Sequence, residues 1–175
     1  MEGWCSIRYR SQRGQAALEL AFQIPILIII LAGGIQLARV FYTYHTLEKA
    51  LRGGAGLLAR TTNVNFCDPG DPAITGAKNF IVYGNLQGDG TPILPNLADF
   101  LQVQAERQDS SSTTVNSCPC GSADADDCDI SGGGRPPEFG VVNLGDGYPV
   151  QMPFAYLTLT TLNLKVSVRM PVTGG

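Results

Sequence analysis

Cysteine is the residue type whose spacing in this 175-residue chain most directly predicts chemistry. One cysteine lies near the N-terminus, at Cys5, and four lie further along, at Cys67, Cys118, Cys120 and Cys128. Four cysteines in an exported region are typical of two disulfides, for which three pairings exist. Because only Pro119 separates Cys118 from Cys120, these two are too constrained to pair easily with each other. We therefore expect one of them to pair with Cys67 and the other with Cys128.

Metal and redox chemistry fit the same spacing less well. Cys118-x-Cys120 with seven residues to Cys128 lacks the second paired knuckle of a zinc site, and a redox pair prefers Cys-x-x-Cys at a helix start. The same stretch also holds Asp124, Asp126, Asp127 and Asp129. These aspartates lack the ordered Asp-x-Asp-x-Asp-Gly pattern of a calcium loop. We predict an acidic, solvated loop without a metal and a chain without a cofactor.

Catalytic chemistry has no support in the sequence. The only histidine is His45, which follows an apolar run in a helical pattern, where a surface or packing role is expected. Motif inspection finds no Gly-x-Ser-x-Gly elbow, no phosphate-binding loop and no His-Glu-x-x-His pair. Ser110 to Thr114 is a polar run without a partner base. The chain is therefore predicted not to be an enzyme.

Glu19 is a carboxylate at the edge of an apolar run, next to Leu20. A charge in the membrane costs about 2.5–3.5 kcal/mol on insertion scales, so this side chain needs a partner or a solvated place among the lipid headgroups. A cut after Gly14 would make Gln15 the first residue and create an α-amino group with an ordinary pKa of about 7.7–8.0. In a low-dielectric helical bundle, that amino group would pair with Glu19 of a neighbouring chain.

These residues must be positioned by one long helix. No Asp, Glu, Lys or Arg occurs from Leu20 to Ala38, and as a helix this run spans roughly 28 Å, close to the hydrocarbon thickness of a bilayer. The run is too long for a secretory signal peptide. Apolar positions 37, 41, 44, 47, 51 and 58 continue a helical face beyond it. We expect a helix over residues 15–59 with a transmembrane part at 20–38.

Pro25 interrupts the centre of this run. In a water-soluble helix a proline removes one backbone hydrogen bond and costs about 3 kcal/mol. In a membrane bundle the carbonyl that loses its donor is satisfied by neighbouring groups. We expect a kink or an unwound stretch over residues 21–25, more in an assembled state than in a single chain.

The charges of the chain restrict its partners and its orientation. Fifteen acidic and 12 basic residues give a formal charge of −3 and a pI near 5.0, which argues against nucleic-acid binding. Basic residues flank the apolar run almost equally, so the positive-inside rule does not decide the orientation. The short basic tail before the run and the cysteines after it place the N-terminus in the cytoplasm and residues after about 40 outside.

Beyond about residue 60 the sequence changes to turns and short strands. Residues 61–76 and 108–136 are rich in turn-forming residues and are predicted to be loops, the second long and exposed. A short apolar run at 80–83 precedes another turn. Strands are predicted at 100–106, 139–144, 150–156 and 162–169, of which the last alternates most cleanly. One buried face implies a small antiparallel sheet on which the amphipathic half of the long helix packs, an α+β fold.

Around the apolar run the sequence resembles a known family. A short basic leader, Gly14, and Glu19 opening a long apolar helix resemble the signature of type IV pilin-like proteins. The wider string resembles, more narrowly, the TadE-like pseudopilins of tight-adherence (Tad or Flp-type) pilus systems. It consists of Arg13 to Ala21, Pro25, Phe41-Tyr42 and Thr46 to Ala50. The resemblance is strong over residues 10–60 and weak towards the C-terminus.

This resemblance implies a pilin or pseudopilin subunit, cleaved after Gly14 and acting in pilus assembly or adhesion. The size of the outer region relative to the helix favours a minor subunit. It implies the inner membrane, other pilin or pseudopilin subunits, a prepilin peptidase and a pilus assembly platform as partners, without nucleic acid. It places the chain in the inner membrane as a single-pass protein with a periplasmic C-terminal domain, and in a surface pilus after assembly. Gly14 and Gln15 would be the processing site, and Glu19 and Pro25 would serve assembly.

The expected organisation follows from these steps. Residues 1–14 form a cytoplasmic leader peptide, residues 15–59 the long helix, and residues 60–175 an exported β-rich domain whose loop 108–136 is stapled by disulfides. The alternative is an uncleaved single-pass anchor that keeps residues 1–14 and presents a disulfide-stabilised binding domain outside the cytoplasm.

Overall fold

The fold begins with one long helix, α1, which spans Gln12–Arg60. The computed structural model describes residues 12–108, 114–121, 127–151 and 161–172, with side chains from residue 14 onward. The chain divides into two compact units, Met1–Phe41 and Tyr42–Gly175, so α1 contributes its first half to one and its second half to the other. The predicted leader peptide, apart from its last residues, lies outside the described residues, as does Cys5.

A second helix, α2, spans Pro72–Tyr83 and corrects the predicted loop over residues 61–76. The Asp71 carboxylate accepts a hydrogen bond from the Ala73 backbone N–H (2.7 Å), and Pro72 occupies the first turn, where a missing N–H costs nothing. Gly84 ends the helix in the left-handed conformation, φ +77°. The Asp and Pro that suggested a loop are therefore the start signals of a helix, which also contains the apolar run at 80–83.

The main sheet has four antiparallel strands in the order β2-β1-β3-β6. The strands are β1 (Gln102–Gln108), β2 (Val115–Ser117), β3 (Phe139–Asn143) and β6 (Ser167–Pro171), and a short helix α3 (Leu97–Phe100) precedes β1. In the centre of the sheet Val142 of β3 lies opposite Val103 of β1 and Val168 of β6. These strands and the long helix confirm the predicted α+β class.

A separate two-stranded sheet contains β4 (Tyr148–Gln151) and β5 (Thr161–Leu164). The single strand predicted over 162–169 is therefore wrong. The pairing of β5 with β4 ends at Leu164, and the pairing of β6 with β3 begins at Ser167. The side-chain alternation nevertheless persists across the break, since Leu164, Val166 and Val168 are all buried. The strand predicted over 150–156 is described only as far as Gln151, and its remainder lies outside the described residues.

The core of the second unit is built on the second half of α1. Leu47, Leu51 and Leu58, three of the predicted apolar face positions, are at most 2% exposed. By contrast, Leu37 and Phe41 belong to the first unit and are exposed, and Tyr44 is also exposed. This half of α1 packs on the sheet beside β6, so the helix-on-sheet arrangement is confirmed for residues after 42.

The segment 108–136 is less irregular than predicted. It contributes β2, which pairs with β1 from Glu106 to Gln108, and a 3-10 turn at Ile130–Gly132. Asp127 and Cys128 are 3% and 0% exposed, so this part of the segment is buried. Asp124, Asp126 and most of the polar run from Ser110 to Thr114 lie outside the described residues.

Candidate functional site

The first half of α1 exposes nearly all of its apolar side chains. From Leu18 to Leu37, its large apolar residues are between 45% and 71% exposed. Within the described part of the chain, α1 is the one helix long and apolar enough to cross a membrane. Exposed apolar surface of this extent needs lipid or another protein against it. The structure therefore gives the chain a candidate membrane anchor.

The predicted processing and assembly residues lie at the start of this segment. Gly14, Gln15 and Glu19 are all helical and exposed. Gln15 and Glu19 are four residues apart, which places them one above the other on one helix face. Among the described residues Glu19 is the only charged side chain from Gly14 to Ala38, and no hydrogen bond or ion pair engages it. Its carboxylate is therefore available to a group from another molecule.

Pro25 lies inside α1 without interrupting it. The helix is continuous through residues 21–25, so the single chain shows no unwound turn there. A proline has no N–H to donate, so the carbonyl of Ala21, four residues earlier, lacks its usual helical partner. That carbonyl lies just before the Ile- and Leu-rich stretch of the exposed helix, residues 24–31. The unwound stretch expected in an assembled state remains a prediction.

Small residues give this helix segment places for close approach. A Cβ added at Gly33 or Gly34 would meet no atom within 4 Å. Small residues at helix surfaces allow neighbouring helices to come close in membranes. Ala17, Ala21 and Ala38 extend the set of small exposed side chains along the segment. The arrangement is suited to helix–helix packing with other chains.

The four cysteines after residue 60 form two disulfides, Cys67–Cys120 and Cys118–Cys128. Their Cα–Cα distances are 5.4 and 5.7 Å, within the usual range for a disulfide. Of the two pairings that the sequence favoured, the structure has the one in which Cys67 pairs with Cys120. The first bond joins the segment between α1 and α2 to the region after β2, and the second closes a short loop there.

Hydrogen bonds at Asn65 reinforce the same junction. The Asn65 side chain donates to the Asp129 carboxylate (3.0 Å) and accepts from the Cys67 backbone N–H (3.0 Å). Its backbone N–H donates to the carboxylate of Asp71 (2.9 Å), the residue that caps α2. One asparagine therefore links the start of α2, the Cys67–Cys120 disulfide and the loop that contains Asp129.

The buried Asp127 carboxylate organises the small disulfide loop. It accepts hydrogen bonds from the backbone N–H groups of Gly121 (3.0 Å) and Asp129 (2.8 Å). The Asp127 backbone carbonyl also accepts from Arg135 N–H (3.0 Å), and Gly134 lies so close to that carbonyl that a Cβ would come within 2.5 Å of it. The Asp127 carboxylate thus satisfies the backbone N–H groups of a turn and is not presented as an open carboxylate.

Asp129 is bonded in a way that favours its charged form. Hydrogen bonds from the Ser131 hydroxyl (2.6 Å) and from the Asn65 amide lower the pKa of Asp129 below its ordinary value. Both described aspartates of the acidic segment are thus occupied by protein donors. The described residues contain no cluster of three or more His, Cys, Asp or Glu side chains able to hold a metal ion.

The one histidine lies on α1 just within the second unit. His45 Nδ1 is 3.8 Å from Glu48 Oε2, and Glu48 also pairs with Arg52 at 2.6 Å. The His45 side chain is 64% exposed and its ring packs edge-on against Tyr44. These contacts match a surface role on the helix, and no nucleophile is placed beside the imidazole in the described contacts.

Some of the organisation around the disulfides was missed by sequence reasoning. The capping role of Asp71 had a readable signal, Asp followed by Pro at a helix start. The link through Asn65 had none, since Asn65 and Asp129 are 64 positions apart. Contacts of such separation depend on the folded topology and leave no local pattern.

Comparison with known proteins identifies the helix segment. Residues 14–55 match the family described as TadE-like protein. The match covers the exposed helix and the first part of its packed continuation, including Gly14, Glu19 and Pro25. No curated protein and no solved structure matches the chain. The chain therefore carries a TadE-like N-terminal helix, which associates it with tight-adherence pilus systems.

Proposed function

We propose that this chain is a minor pilin or pseudopilin subunit of a tight-adherence pilus, processed after Gly14 and acting in pilus assembly or adhesion. The observation that carries the proposal is the exposed half of α1. It carries no Asp, Glu, Lys or Arg from Leu20 to Ala38, matches the TadE-like family and has a single unpaired carboxylate at its first turns. The proposed location is the inner membrane, with the N-terminus cytoplasmic and the second unit periplasmic.

Processing would give Glu19 its partner. After cleavage the α-amino group of Gln15 is largely protonated near neutral pH, given its ordinary pKa of about 7.7–8.0. The amino group of one chain then pairs with Glu19 of the next, and the low dielectric of a helix bundle strengthens the pair. Prepilin peptidase supplies the cut, and other pilin or pseudopilin subunits and the assembly platform supply the neighbouring helices.

Pro25 and the small residues would shape the bundle. The Ala21 carbonyl, which Pro25 leaves without a helical donor, is available to a donor from a neighbouring helix. Gly33 and Gly34 allow that neighbour to approach closely, since no atom lies within 4 Å of their Cβ positions. No part of this mechanism requires a cofactor or a catalytic residue.

The deciding experiment is the N-terminal mass of the protein recovered separately from membranes and from sheared surface material. A chain that begins at Gln15 supports processing, and its presence in the sheared fraction supports a filament component. A chain that begins at Met1 in both fractions would contradict the proposal. The second candidate, an uncleaved anchor presenting the disulfide-tied unit, would then be favoured.

A substitution at Glu19 tests its role separately. Glu19→Ala should leave membrane insertion intact, because it removes a charge from the apolar helix, while filaments are reduced at least tenfold. The matched control is Glu48→Ala, which removes a glutamate from the same helix beyond the apolar run. Normal filament numbers in the Glu19→Ala strain would refute the pairing with the new amino terminus.

A further inference from the structure

A surface cavity of about 410 Å³ lies where the end of α1 meets α2 and β6. We call it the Gly56 socket, and its walls include Arg52, Gly53, Gly56, Arg60, Phe80 and Met170. Its floor is apolar, and the two arginines stand two helical turns apart along α1. Arg52 is paired with Glu48, whereas no described contact engages the guanidinium of Arg60. The socket is therefore apolar with one unbalanced positive charge at its edge.

No close contact within the described chain requires a glycine at position 56. Glycine inside a helix costs about 1 kcal/mol relative to alanine. Gly53 and Gly54 are required by α2, since their Cβ atoms would lie 2.6 Å from Phe80 and 2.4 Å from Ile81. A Cβ at Gly56 would meet nothing within 4 Å. The space above Gly56 is open in the single chain and large enough for a side chain from outside.

A surface of complementary character lies on the segment after α2. We call residues 85–93 the Leu86 loop. Leu86 and Ile93 are 50% and 42% exposed, and Asp89 between them is exposed, with no described partner for its carboxylate. The loop is well held, because Asn85 accepts from Gly88 N–H (2.8 Å) and donates to the Asp89 carbonyl (2.8 Å). The Leu86 loop thus presents two apolar side chains and one carboxylate on a turn that is held by hydrogen bonds.

We propose that the Gly56 socket of one chain receives the Leu86 loop of a second copy of this chain. An apolar side chain of the loop fills the space above Gly56, and the Asp89 carboxylate pairs with Arg60. The contact has the apolar centre and polar rim of a protein interface, and the single charges of the two surfaces are opposite. This proposal rests on the proposed function, because it adds a contact between the second units of subunits that are assembled side by side.

The test measures self-association of the full chain in detergent micelles by energy transfer between two labelled populations. All samples carry Glu19→Ala, so that helix contacts through Glu19 do not contribute. Arg60→Glu alone and Asp89→Arg alone should each weaken association at least tenfold, because like charges then face each other. An equal mixture of the two variants should recover most of the affinity, since the acidic socket of one chain accepts the basic loop of the other.

A third variant tests the space itself. Gly56→Leu should weaken association at least tenfold while leaving the thermal unfolding midpoint unchanged or higher, because leucine favours the helix and the space is open. The matched controls are Lys49→Glu, a charge on α1 outside the socket, and Asp146→Arg, an exposed aspartate outside the loop. Both controls should associate like the parent chain.

Three outcomes would overturn the proposal. They are a parent chain that stays monomeric, a mixture of the charge variants no better than either alone, and controls that weaken association as much as the socket variants. Failure here leaves the N-terminal mass unchanged and so does not touch the proposed function. A chain that begins at Met1 would contradict the proposed function without affecting the result for the Gly56 socket.

Discussion

The two halves of α1 carry glycine pairs with opposite surroundings. Gly33 and Gly34 face open space, whereas Cβ atoms at Gly53 and Gly54 would collide with Phe80 and Ile81 of α2. The same contrast holds for the leucines, since Leu27 is 58% exposed and Leu51 is fully buried. One continuous helix therefore serves two environments. Its second half is packed against its own chain, and its first half needs lipid or another protein against it.

Removal of the disulfides should have the largest effect on this contrast, and only on the second unit. Replacing Cys67 and Cys120 with serine opens a bond between residues 53 apart, and replacing Cys118 and Cys128 opens one between residues 10 apart. On the chain-entropy argument these changes cost about 4 and about 3 kcal/mol of unfolding free energy. Urea unfolding of both variants measures the difference, and membrane integration should be unchanged. Equal losses would show that loop length does not govern the two bonds.

Truncation of one apolar side chain in each half should separate them directly. Leu51→Ala leaves a cavity in the core and should cost about 2–5 kcal/mol in the second unit. Ile28→Ala should leave that unit's unfolding unchanged, because Ile28 is 58% exposed and contributes to no internal core. Urea unfolding in micelles checks both. If Ile28→Ala lowered the unfolding free energy as much as Leu51→Ala, the two halves of α1 would not differ in the way described.

Added methyl groups at the glycines give a smaller and more specific effect. Gly54→Ala places a Cβ 2.4 Å from Ile81 and 3.2 Å from the Ala77 carbonyl, so we expect a loss of about 1–3 kcal/mol from overpacking. Gly34→Ala should leave the unfolding free energy of the second unit unchanged, since its Cβ meets nothing. Thermal unfolding of the two variants provides the measurement. If Gly54→Ala were neutral, α2 would be able to move aside and the close packing would not be required.

The smallest expected effect concerns the acid stability of the disulfide-tied unit. Ser131→Ala removes the main donor that lowers the pKa of Asp129, so that pKa should rise towards its ordinary value. A lowered carboxyl pKa stabilises the fold above the unfolded-state pKa, about 3.9, and that stability is lost as the pH falls through the folded-state pKa. The variant should therefore lose less stability than the parent below about pH 4. An NMR titration of Asp129 checks the shift, and an unchanged pKa would contradict it.

Much of the first half of α1 was readable from the sequence, because membrane compatibility is a local property of composition and length. The uncharged run from Leu20 to Ala38 and the family string around Gly14 needed no tertiary contact to be recognised. The apolar face at Leu47, Leu51 and Leu58 was also readable, since helical periodicity survives into the packed half. Burial at Gly54 and Ala55 was not, because it depends on the approach of α2.

The second unit was less predictable for physical reasons. The alternation over 162–169 correctly gave the buried face, but alternation carries no information about hydrogen-bond partners, and the chain changes sheets between Leu164 and Ser167. The choice of Cys67–Cys120 over Cys67–Cys118 likewise depends on how the loop around Asp127 turns. Asp71-Pro72 was read as a loop although this pair also starts helices, and only the apolar residues after it distinguish the two.

The two disulfides interlock along the sequence, because Cys118 of one bond precedes Cys120 of the other. This arrangement affects how the protein bears mechanical load. A pull along the backbone that reaches Cys67 crosses to Cys120, passes back through Pro119 to Cys118 and crosses again to Cys128. Nearly all of the chain between Cys67 and Cys128 is thereby removed from the load path, which hides roughly 200 Å of extensible contour at about 3.5 Å per residue. In the proposed pilus, a chain under tension would therefore extend by only a short step while both disulfides are intact. Single-molecule stretching with and without reductant should differ by about that length.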